Sequence, residues 1–351
     1  MRPDLPSLLP LICPRCRSVD ADGARHLHTV SLARSLREEA GEIVEGELAC
    51  DHEACGARYP ILDGIPVVVP DVAAVLHGQS VAVHASRSPE ELAALAVYGP
   101  DDAQLPRLLE HLSIYLDAHW VDRARPPIEG PAEAGFAPIG LRIATMATRT
   151  GRSRRAVELG CSVGGGLRAL ATGAAGAELV VGVDLQLGAL RAARALLAGR
   201  PHRYPRRHSG RYYDIAEIVP TAPVDNVLLV CGDALDPPLA PGHFDRALAL
   251  NLVDSVRNPP QLVSVLDGLL GSGGDLAMSS PYSWQSEVVD DASRPATASA
   301  ASWLRERLRS GDELTAPYAL LDEAELPWAL RRDERSAQIY RVHWLHARKG
   351  G

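Results

Sequence analysis

The chain has 351 residues, of which 46% are hydrophobic and 23% charged, and its formal net charge at pH 7 is −8. These values predict a soluble globular protein, and they exclude one whose main task is non-specific binding of phosphate backbones. Lys349 is the only lysine, which excludes Schiff-base chemistry and a phosphate-loop lysine. No apolar run has the length of a membrane span and no signal peptide is recognisable, so we expect a cytoplasmic protein without a membrane partner.

Two cysteine pairs, Cys13 with Cys16 and Cys50 with Cys55, lie on either side of a polar stretch near the amino terminus. Because cytoplasmic cysteines stay reduced, the pairs indicate metal ligands rather than disulfides. Paired cysteines separated by the length of a hairpin are typical of a zinc ribbon, which needs the metal to fold. His52 lies inside the second pair and is an alternative ligand. Four unrelated buried cysteines are the other interpretation.

The same region resembles a known family through the stretches "CPRC", "CDHEAC" and "YPILDGIPVVVPD". Residues 10–71 resemble the small zinc-ribbon activator subunits of tRNA and translation-factor methyltransferases. The resemblance implies a structural Zn²⁺ held by the four cysteines in a domain of residues 1–71. The second cysteine pair is wider than the usual C-x2-C of this family and departs from its pattern.

Apolar residues recur at spacings of three and four between residues 72 and 150. The periodicity is clearest in "PEELAALAVYG", "LPRLLEHLSIYLDAHWVDRA" and "APIGLRIATMATRTG", and it predicts helices. Proline and glycine at 126–140 predict a break between them. We expect these helices to form a linker that covers the next domain. His119 and Trp120 lie on the second helix and are expected to pack in the core.

From residue 154 onward, short apolar strands alternate with helical segments. The predicted strands are 155–159, 178–184, 226–231, 244–251 and 274–280, and the predicted helices are 164–172, 186–198 and 259–270. The stretch "SAQIYRVHWLHARK" alternates apolar and polar residues, which predicts a final strand. The alternation predicts an α/β domain over residues 151–351, with a parallel sheet and right-handed crossovers.

The stretch "AVELGCSVGGGL" at 156–167 fits three motifs. Residues 160–164 fit the G-x-S-x-G elbow of α/β-hydrolases, but the strand before them is the first of its sheet and no suitable histidine loop follows. Gly164, Gly166 and Ala169 fit the dinucleotide motif G-x-G-x-x-A, but they begin after the strand has ended. The third interpretation is the glycine turn of an S-adenosylmethionine (SAM) enzyme, where a small turn lets the ligand approach the backbone.

Two acids then follow at strand ends, in the order that a nucleoside requires. Asp184 closes the second strand, where a carboxylate accepts hydrogen bonds from ribose hydroxyls. Asp233 in "VCGDALD" follows the third strand and can accept from an adenine amino group. Together with the glycine turn they favour SAM, although either acid alone is also an ordinary turn residue and Glu158 an ordinary helix cap.

Residues 154–348 resemble class I SAM-dependent methyltransferases, through "VELGCSVGGG", "GVDLQ", "GDALDPPL" and "FDRALALNLVDSV". The resemblance implies methyl transfer from SAM and a Rossmann-like seven-stranded sheet whose last strand is antiparallel. It implies that the cofactor is bound by Glu158, Gly160, Ser162, Gly164, Asp184, Leu185, Asp233, Ala234 and Asn251. Ser162 replaces a glycine of the family motif, so we expect a slightly tighter loop.

The methyl acceptor is less well defined. Asn251 and Tyr282 are the substrate-side candidates, and Tyr282 and Trp284 are expected to wall the substrate pocket. Helix capping is the alternative for Asn251, and core packing is the alternative for Trp284. The stretches "NLVDSVRNP", "SSPYSWQ" and "DEAELPWALRRDERS" resemble the mercaptohistidine N-methyltransferases of the ovothiol pathway. This resemblance implies N-methylation of a small imidazole- or amine-containing molecule.

The arginine- and tyrosine-rich segment 199–214 is expected to be a lid over a small anionic substrate, with nucleic-acid binding as the alternative. Two other functions stay open. The ribbon could recognise rRNA, tRNA or a protein for methylation, or the fold could be a scaffold without catalysis. The sequence predicts no oligomeric state.

Overall fold

The computed structural model describes Met1 and residues 8–19, 22, 25–80, 87–98, 100, 102–121, 135–172, 176–295 and 299–351. Within these ranges, no helix combines the length and the apolar character needed to span a membrane.

The amino-terminal region is built from short antiparallel strands. They are β1 (Leu11–Ile12), β2 (Ser18–Val19), β3 (Arg25–His26), β4 (Thr29–Glu39), β5 (Glu42–Cys50), β6 (Arg58–Leu62) and β7 (Ile65–Pro66). Five of them form one sheet in the order β1-β4-β5-β6-β7, and β2 pairs with β3. The buried apolar residues of this region, such as Leu48 and Ile61, belong to the same core cluster as the strands of the main sheet. The region therefore packs onto the rest of the chain.

Helices follow between the two sheets, as the periodicity predicts. They are α1 (Val72–Gly78), α2 (Pro89–Leu95), α3 (Gln104–Leu116) with a π-helical turn (Asp117–Val121), and α4 (Ala137–Thr150). The side chains of Asp71 and Ser88 cap the first two by accepting from backbone N–H groups of the first turn. Of the predicted break at 126–140, residues 126–134 lie outside the described ranges. Residues 137–140 are helical, because Pro138 lies in the first turn of α4, where proline is tolerated.

The main sheet has seven strands in the order β12-β9-β8-β13-β14-β16-β15. Its strands are β8 (Arg155–Leu159), β9 (Leu179–Asp184), β12 (Val227–Cys231), β13 (Phe244–Leu250), β14 (Leu270–Ser280), β15 (Tyr318–Arg331) and β16 (Ala337–Lys349). A separate hairpin is formed by β10 (His202–Ser209) and β11 (Tyr212–Ile218). The helices are α5 (Gly165–Ala171), α6 (Leu187–Leu197), α7 (Pro259–Leu269) and α8 (Ala300–Ser310), with a 3-10 turn at Asp291–Ser293.

The five predicted strands and the final one are confirmed, and the sheet is mixed as expected. Strands β12, β9, β8, β13 and β14 pair in parallel, whereas β16 is antiparallel to both of its neighbours. Strand β14 begins at Leu270, four residues before its predicted start at 274. Strand β15 was not predicted. It exposes Leu321 and half buries Asp322, so its sequence lacks the expected alternation.

Candidate functional site

A cleft of about 500 Å³ lies at the carboxyl ends of the central strands. The strand order reverses between β8 and β13, and ligands of open α/β sheets bind at such a reversal. Eight of the nine residues that the resemblance assigns to the cofactor line the cleft: Glu158, Gly160, Ser162, Asp184, Leu185, Asp233, Ala234 and Asn251. Gly164 is the ninth. It lies outside the described lining, at the start of α5.

A different structural feature explains each of the three consecutive glycines after β8. Gly164 precedes α5 with a φ of +83°, which favours glycine. A Cβ atom on Gly165 would lie 2.7 Å from Nδ1 of His119, and one on Gly166 would overlap the carboxylate of Glu158. Two of the residues that produce the dinucleotide match are therefore explained by a turn and by close packing.

Ser162 occupies the turn between β8 and α5 with a φ of +47°. A side chain in this left-handed conformation costs about 1 kcal/mol, so the position is one that suits the glycine of the family motif. Its backbone N–H donates to Oδ2 of Asp184 at 2.8 Å. Its buried hydroxyl has no hydrogen-bond partner among the described residues. The serine–histidine pair that the hydrolase interpretation requires is therefore not formed.

Asp184 ends β9 and joins two loops of the cleft. Besides the contact with Ser162, its Oδ1 accepts from the backbone N–H of Gln186 at 2.7 Å. Burial raises the pKa of this carboxyl, although the backbone N–H donors oppose the shift. Each carboxylate oxygen can accept a second hydrogen bond, so capacity is left for two ligand hydroxyls.

Glu158 is 2% exposed and lies on β8, beneath the glycine turn. Burial raises its pKa well above the usual range, and the nearby Asp184 raises it further. Its Oε2 has no hydrogen-bond partner among the described residues. Since buried polar atoms are nearly always paired, this carboxyl fits a ligand that donates to it or carries positive charge.

Asp233 lies in the loop after β12, next to Ala234. Its Oδ1 accepts from the backbone N–H of Leu235 at 2.8 Å, and its Oδ2 lies 3.9 Å from a guanidinium nitrogen of Arg257. The first contact is that of an ordinary turn acid. Because Asp233 also lines the cleft, the turn presents it to a ligand as well.

Asn251 follows β13 and is fixed by its neighbour on β14. Its backbone N–H donates to the carbonyl of Ser279 at 2.7 Å, and the hydroxyl of Ser279 donates to Oδ1 of Asn251 at 3.0 Å. The cap of α7 is Asn258, whose side chain accepts from the backbone N–H of Gln261. The helix-capping alternative for Asn251 is therefore wrong.

Tyr282, the other substrate-side candidate, lies outside the described lining of the cleft, as does Trp284. The tyrosine hydroxyl is 2.8 Å from Nδ1 of His343, and Nε2 of that histidine is 2.8 Å from Glu323. These contacts turn Tyr282 toward strands β15 and β16. Its ring lies 5.9 Å from that of Trp284, but the structure does not place either ring in the described wall of the cleft, where both were expected.

The linker contributes residues to the cleft that the sequence analysis missed. His111, Tyr115 and His119 are four residues apart on α3 and its π-helical turn, and all three line the cleft. His119 was expected in the core. Although both histidines line the cleft, burial lowers the pKa of His111 and of His119 to about 4, so both imidazoles are neutral at pH 7. The four-residue spacing of His and Tyr was the available signal for this face.

Two further linker residues hold loops of the cleft. The amide of Gln79 donates to the carbonyl of Leu185 at 2.6 Å and accepts from the backbone N–H of Leu187 at 2.8 Å. Trp120 donates from Nε1 to the carbonyl of Val163, and the guanidinium of Arg168 lies 5.2 Å from its ring centroid. Side chains of the linker therefore line the cleft, and Trp120 joins the linker to the turn after β8.

Residues 157–278 match the methyltransferase domain family. This match covers most of strands β8 to β14 and the loops that carry the cofactor-side residues of the cleft. The chain is a SAM-dependent methyltransferase.

No curated protein sequence matches this methyltransferase at a significant level. Solved structures match it at low identity. A protein of Bacillus halodurans C-125, provisionally assigned as a methyltransferase, is 16% identical, with 60% of this chain and 99% of that chain covered and a TM-score of 0.41.

Two other solved structures are similar at the same level. One is a chain of the complex between the Haloferax volcanii Trm112 methyltransferase activator and a provisionally assigned methyltransferase, with 15% identity, coverage of 62% and 92%, and a TM-score of 0.40. The other is the N-methyltransferase NodS of Bradyrhizobium japonicum WM9, with 12% identity, coverage of 61% and 96%, and a TM-score of 0.36. These scores are too low to support any statement about substrate.

Segment 199–214 of the methyltransferase forms most of the β10–β11 hairpin and lines no described part of the cleft. Arg203 pairs with Glu90 on α2, and Arg207 pairs with Glu110 on α3. The hydroxyl of Tyr204 donates to Asp117 at 2.5 Å. The expected lid over the substrate is therefore not observed, because these side chains bind the linker helices instead.

The four cysteines of the amino-terminal region come together. Their sulfur atoms all lie within 4.8 Å of one another, with Cys13 and Cys55 at 3.8 Å and Cys16 and Cys50 at 3.6 Å. Four thiolates bound to Zn²⁺ at 2.3 Å in a tetrahedron lie about 3.8 Å apart, so the cluster fits this ion. His52 forms an alternative group with Cys16 and His28.

Proposed function

We propose that this methyltransferase N-methylates a small imidazole- or amine-containing molecule. The observation that carries the proposal is the cover over the cleft. Side chains from the linker and from β15 line the same cleft as Asn251, namely Tyr115, Phe136, Ile139 and Trp328. A volume of about 500 Å³ is within the range of sites for small ligands. A polymer would need an open groove.

For the cofactor we propose roles that follow the order of the strand ends. Gly160, Ser162 and Gly164 form the turn against the methionyl part, and Glu158 lies near its charged end. Asp184 with Leu185 binds the ribose, and Asp233 with Ala234 binds the adenine. The unpartnered buried atoms Oε2 of Glu158 and Oγ of Ser162 support this assignment, because a bound ligand would satisfy them.

The bound cofactor supplies an electrophilic methyl group on a sulfonium. The residues of the chain bind and orient both reactants and exclude water, since a displacement of this kind depends on alignment. Asn251 is suited to this task. Ser279 holds its Oδ1, which leaves the amide N–H donors available for an acceptor molecule.

The hairpin argues against the nucleic-acid alternative. Arg203 and Arg207 already pair with carboxylates of the linker, and the chain as a whole is acidic. Nucleic-acid binding instead depends on basic side chains that face the phosphate backbone.

We further propose that residues 1–71 form a ribbon held by structural Zn²⁺ on Cys13, Cys16, Cys50 and Cys55. The two sulfur–sulfur distances support this ligand set. In this arrangement residues 72–150 cover the site, and residues 151–351 form the transferase domain.

The test has two parts. Calorimetry of the full chain with S-adenosylhomocysteine should show one site, and Asp184→Ala should weaken binding at least tenfold. Tritiated SAM is then incubated with enzyme and with cell extract divided by ultrafiltration into small molecules and macromolecules. We expect label in the small-molecule fraction, with Asp184→Ala as the control. Label in RNA or protein would contradict the proposal, and absent cofactor binding would favour a scaffold.

A further inference from the structure

Four aromatic side chains from three separate elements surround one part of the cleft. Tyr115 and His119 come from α3 and its π-helical turn, Phe136 immediately precedes α4, and Trp328 comes from β15. We call these four residues the aromatic wall. The ring centroids of Tyr115 and His119 are 5.9 Å apart, and those of His119 and Phe136 are 5.0 Å apart.

The aromatic wall comes from elements other than those that carry the residues assigned to the ribose and adenine. Those assigned groups are on β9 and in the loop after β12, whereas the wall comes from the linker and from β15. Asn251, the substrate-side candidate, lies in the same cleft. Because the wall and Asn251 line the same cleft, we infer that the wall contacts the methyl acceptor.

The charged residues of the cleft restrict which methyl acceptors can bind there. Among the described lining residues, Arg257 is the one arginine or lysine, and it lies beside Asp233 at the adenine end. The imidazole of His119 is neutral, because burial lowers its pKa to about 4. An acceptor that carries a carboxylate or phosphate would find no cation in this part of the cleft, so the cleft disfavours an anionic acceptor.

Two buried polar atoms of the aromatic wall, Nδ1 of His119 and Nε1 of Trp328, have no hydrogen-bond partner among the described residues. Trp328 is 4% exposed, and its Nε1–H makes no hydrogen bond within the described part of the chain. A buried indole N–H is normally paired. A ligand with a lone pair in the plane of its ring would supply the missing acceptor.

We propose that the methyl acceptor is a small heteroaromatic molecule without a carboxylate or phosphate group, which packs against the aromatic wall and accepts a hydrogen bond from Nε1 of Trp328. The inference rests on the proposed function, since it names the substrate class of the same cleft. Flat rings stack on aromatic side chains at centroid distances of about 4.5–7 Å. The class differs from the small anionic substrate that the sequence analysis expected.

The test uses two probes of nearly equal shape. Benzimidazole has a ring nitrogen with a free lone pair and indole lacks it, while cyclohexanol serves as the aliphatic comparison. Binding of each to the full chain saturated with S-adenosylhomocysteine is measured by saturation-transfer NMR. We expect benzimidazole to bind more tightly than indole, and indole more tightly than cyclohexanol.

Three variants test where in the cleft the probes bind. Trp328→Phe keeps a ring but removes the N–H, so it should weaken benzimidazole by about three- to tenfold and leave indole unchanged. Tyr115→Leu should weaken both aromatic probes, whereas Tyr212→Leu, at an exposed tyrosine of the hairpin, should weaken neither.

Calorimetry with S-adenosylhomocysteine accompanies every variant. Retained cofactor binding shows that a variant is folded, and loss of it in the wild type would refute the proposed function rather than this inference. With the cofactor bound, the inference is overturned if cyclohexanol binds as well as the aromatic probes or if no probe binds. It is also overturned if Trp328→Phe weakens indole and benzimidazole equally.

Discussion

Trp120 donates a hydrogen bond from its indole Nε1 to the carbonyl oxygen of Val163 at 2.9 Å. This contact joins the π-helical turn of the linker to the turn that follows β8. The linker and the glycine turn are thereby held together, although 43 residues separate them in the chain.

Removing this hydrogen bond should loosen the glycine turn. Trp120→Phe keeps most of the ring but leaves the Val163 carbonyl without its donor, at a cost of about 1 kcal/mol. We expect a lower melting temperature and several-fold weaker binding of S-adenosylhomocysteine, measured by calorimetry. Trp303→Phe on α8, away from the cleft, is the matched control. Equal cofactor affinity in both variants would contradict a role for Trp120 in the turn.

The contact between Gly165 and His119 predicts a compensating pair. Gly165→Ala introduces a Cβ atom 2.7 Å from Nδ1 of the histidine, so it should destabilise the protein by about 1–3 kcal/mol. Added to the variant His119→Ala, the same substitution should cost much less, because the imidazole is gone. Chemical denaturation of the four proteins measures this coupling.

Gly268→Ala is a suitable control for that cycle, since no atom lies within 4 Å of a Cβ atom there. Additive effects of Gly165→Ala and His119→Ala would mean that the linker does not press on the glycine turn.

The neutral histidines of the linker predict a pH dependence of stability. Burial lowers the pKa of His111 and of His119 from 6.5 to about 4, so the unfolded chain binds more protons between these pH values. The free energy of unfolding should therefore fall as the pH drops from about 6.5 to 4, by about 1 kcal/mol per pH unit for each histidine. Urea denaturation at several pH values measures it.

The double variant His111→Phe, His119→Phe should show a shallower fall over this range than the wild type. His243→Phe changes a histidine outside the cleft and should leave the slope as it is. If the free energy of unfolding of the double variant falls as steeply as that of the wild type, titratable groups other than these two histidines cause the pH dependence.

The cysteine cluster predicts one Zn²⁺ per chain. Cys13→Ser should lose the metal and lower the melting temperature, because the residues that flank the Cys13–Cys16 pair form hydrogen bonds with the main domain. Ile12 donates to the carbonyl of Pro238, and Arg17 donates to that of Pro237 at 2.7 Å. Metal content is measured by mass spectrometry. Cys161→Ser, at a thiol outside the cluster, should retain the ion. A metal-free wild type would refute the zinc proposal.

The sequence predicted the elements with strong local patterns. Strands β8, β9, β12 and β13 are apolar runs that end at glycine, asparagine or acid residues, and all four lie within one or two residues of their predicted bounds. Strand β15 escaped prediction because Leu321 is exposed and Asp322 is half buried, the reverse of what hydrophobic patterning assumes.

The sequence predicts the site residues whose positions follow from the order of strands along the chain. It does not predict the residues that are brought together by the packing of distant elements. Asp184 ends strand β9 and Asp233 lies two residues after strand β12, so their shared edge of the sheet could be inferred from the alternation. His119 and Trp328 are 209 residues apart, and their common position depends on how α3 and β15 fold over the sheet. No local pattern in the sequence contains that information.

The contact between the amino-terminal region and strand β12 has a consequence for solubility. Val67 bridges Cys231 in parallel, and the N–H of Val68 donates to the carbonyl of Cys231. Strand β12 lies at the border of the main sheet, where unpaired backbone groups invite pairing with a second molecule. Residues 67 and 68 occupy part of that border, so a chain shortened by removal of its first seventy residues would be prone to aggregation.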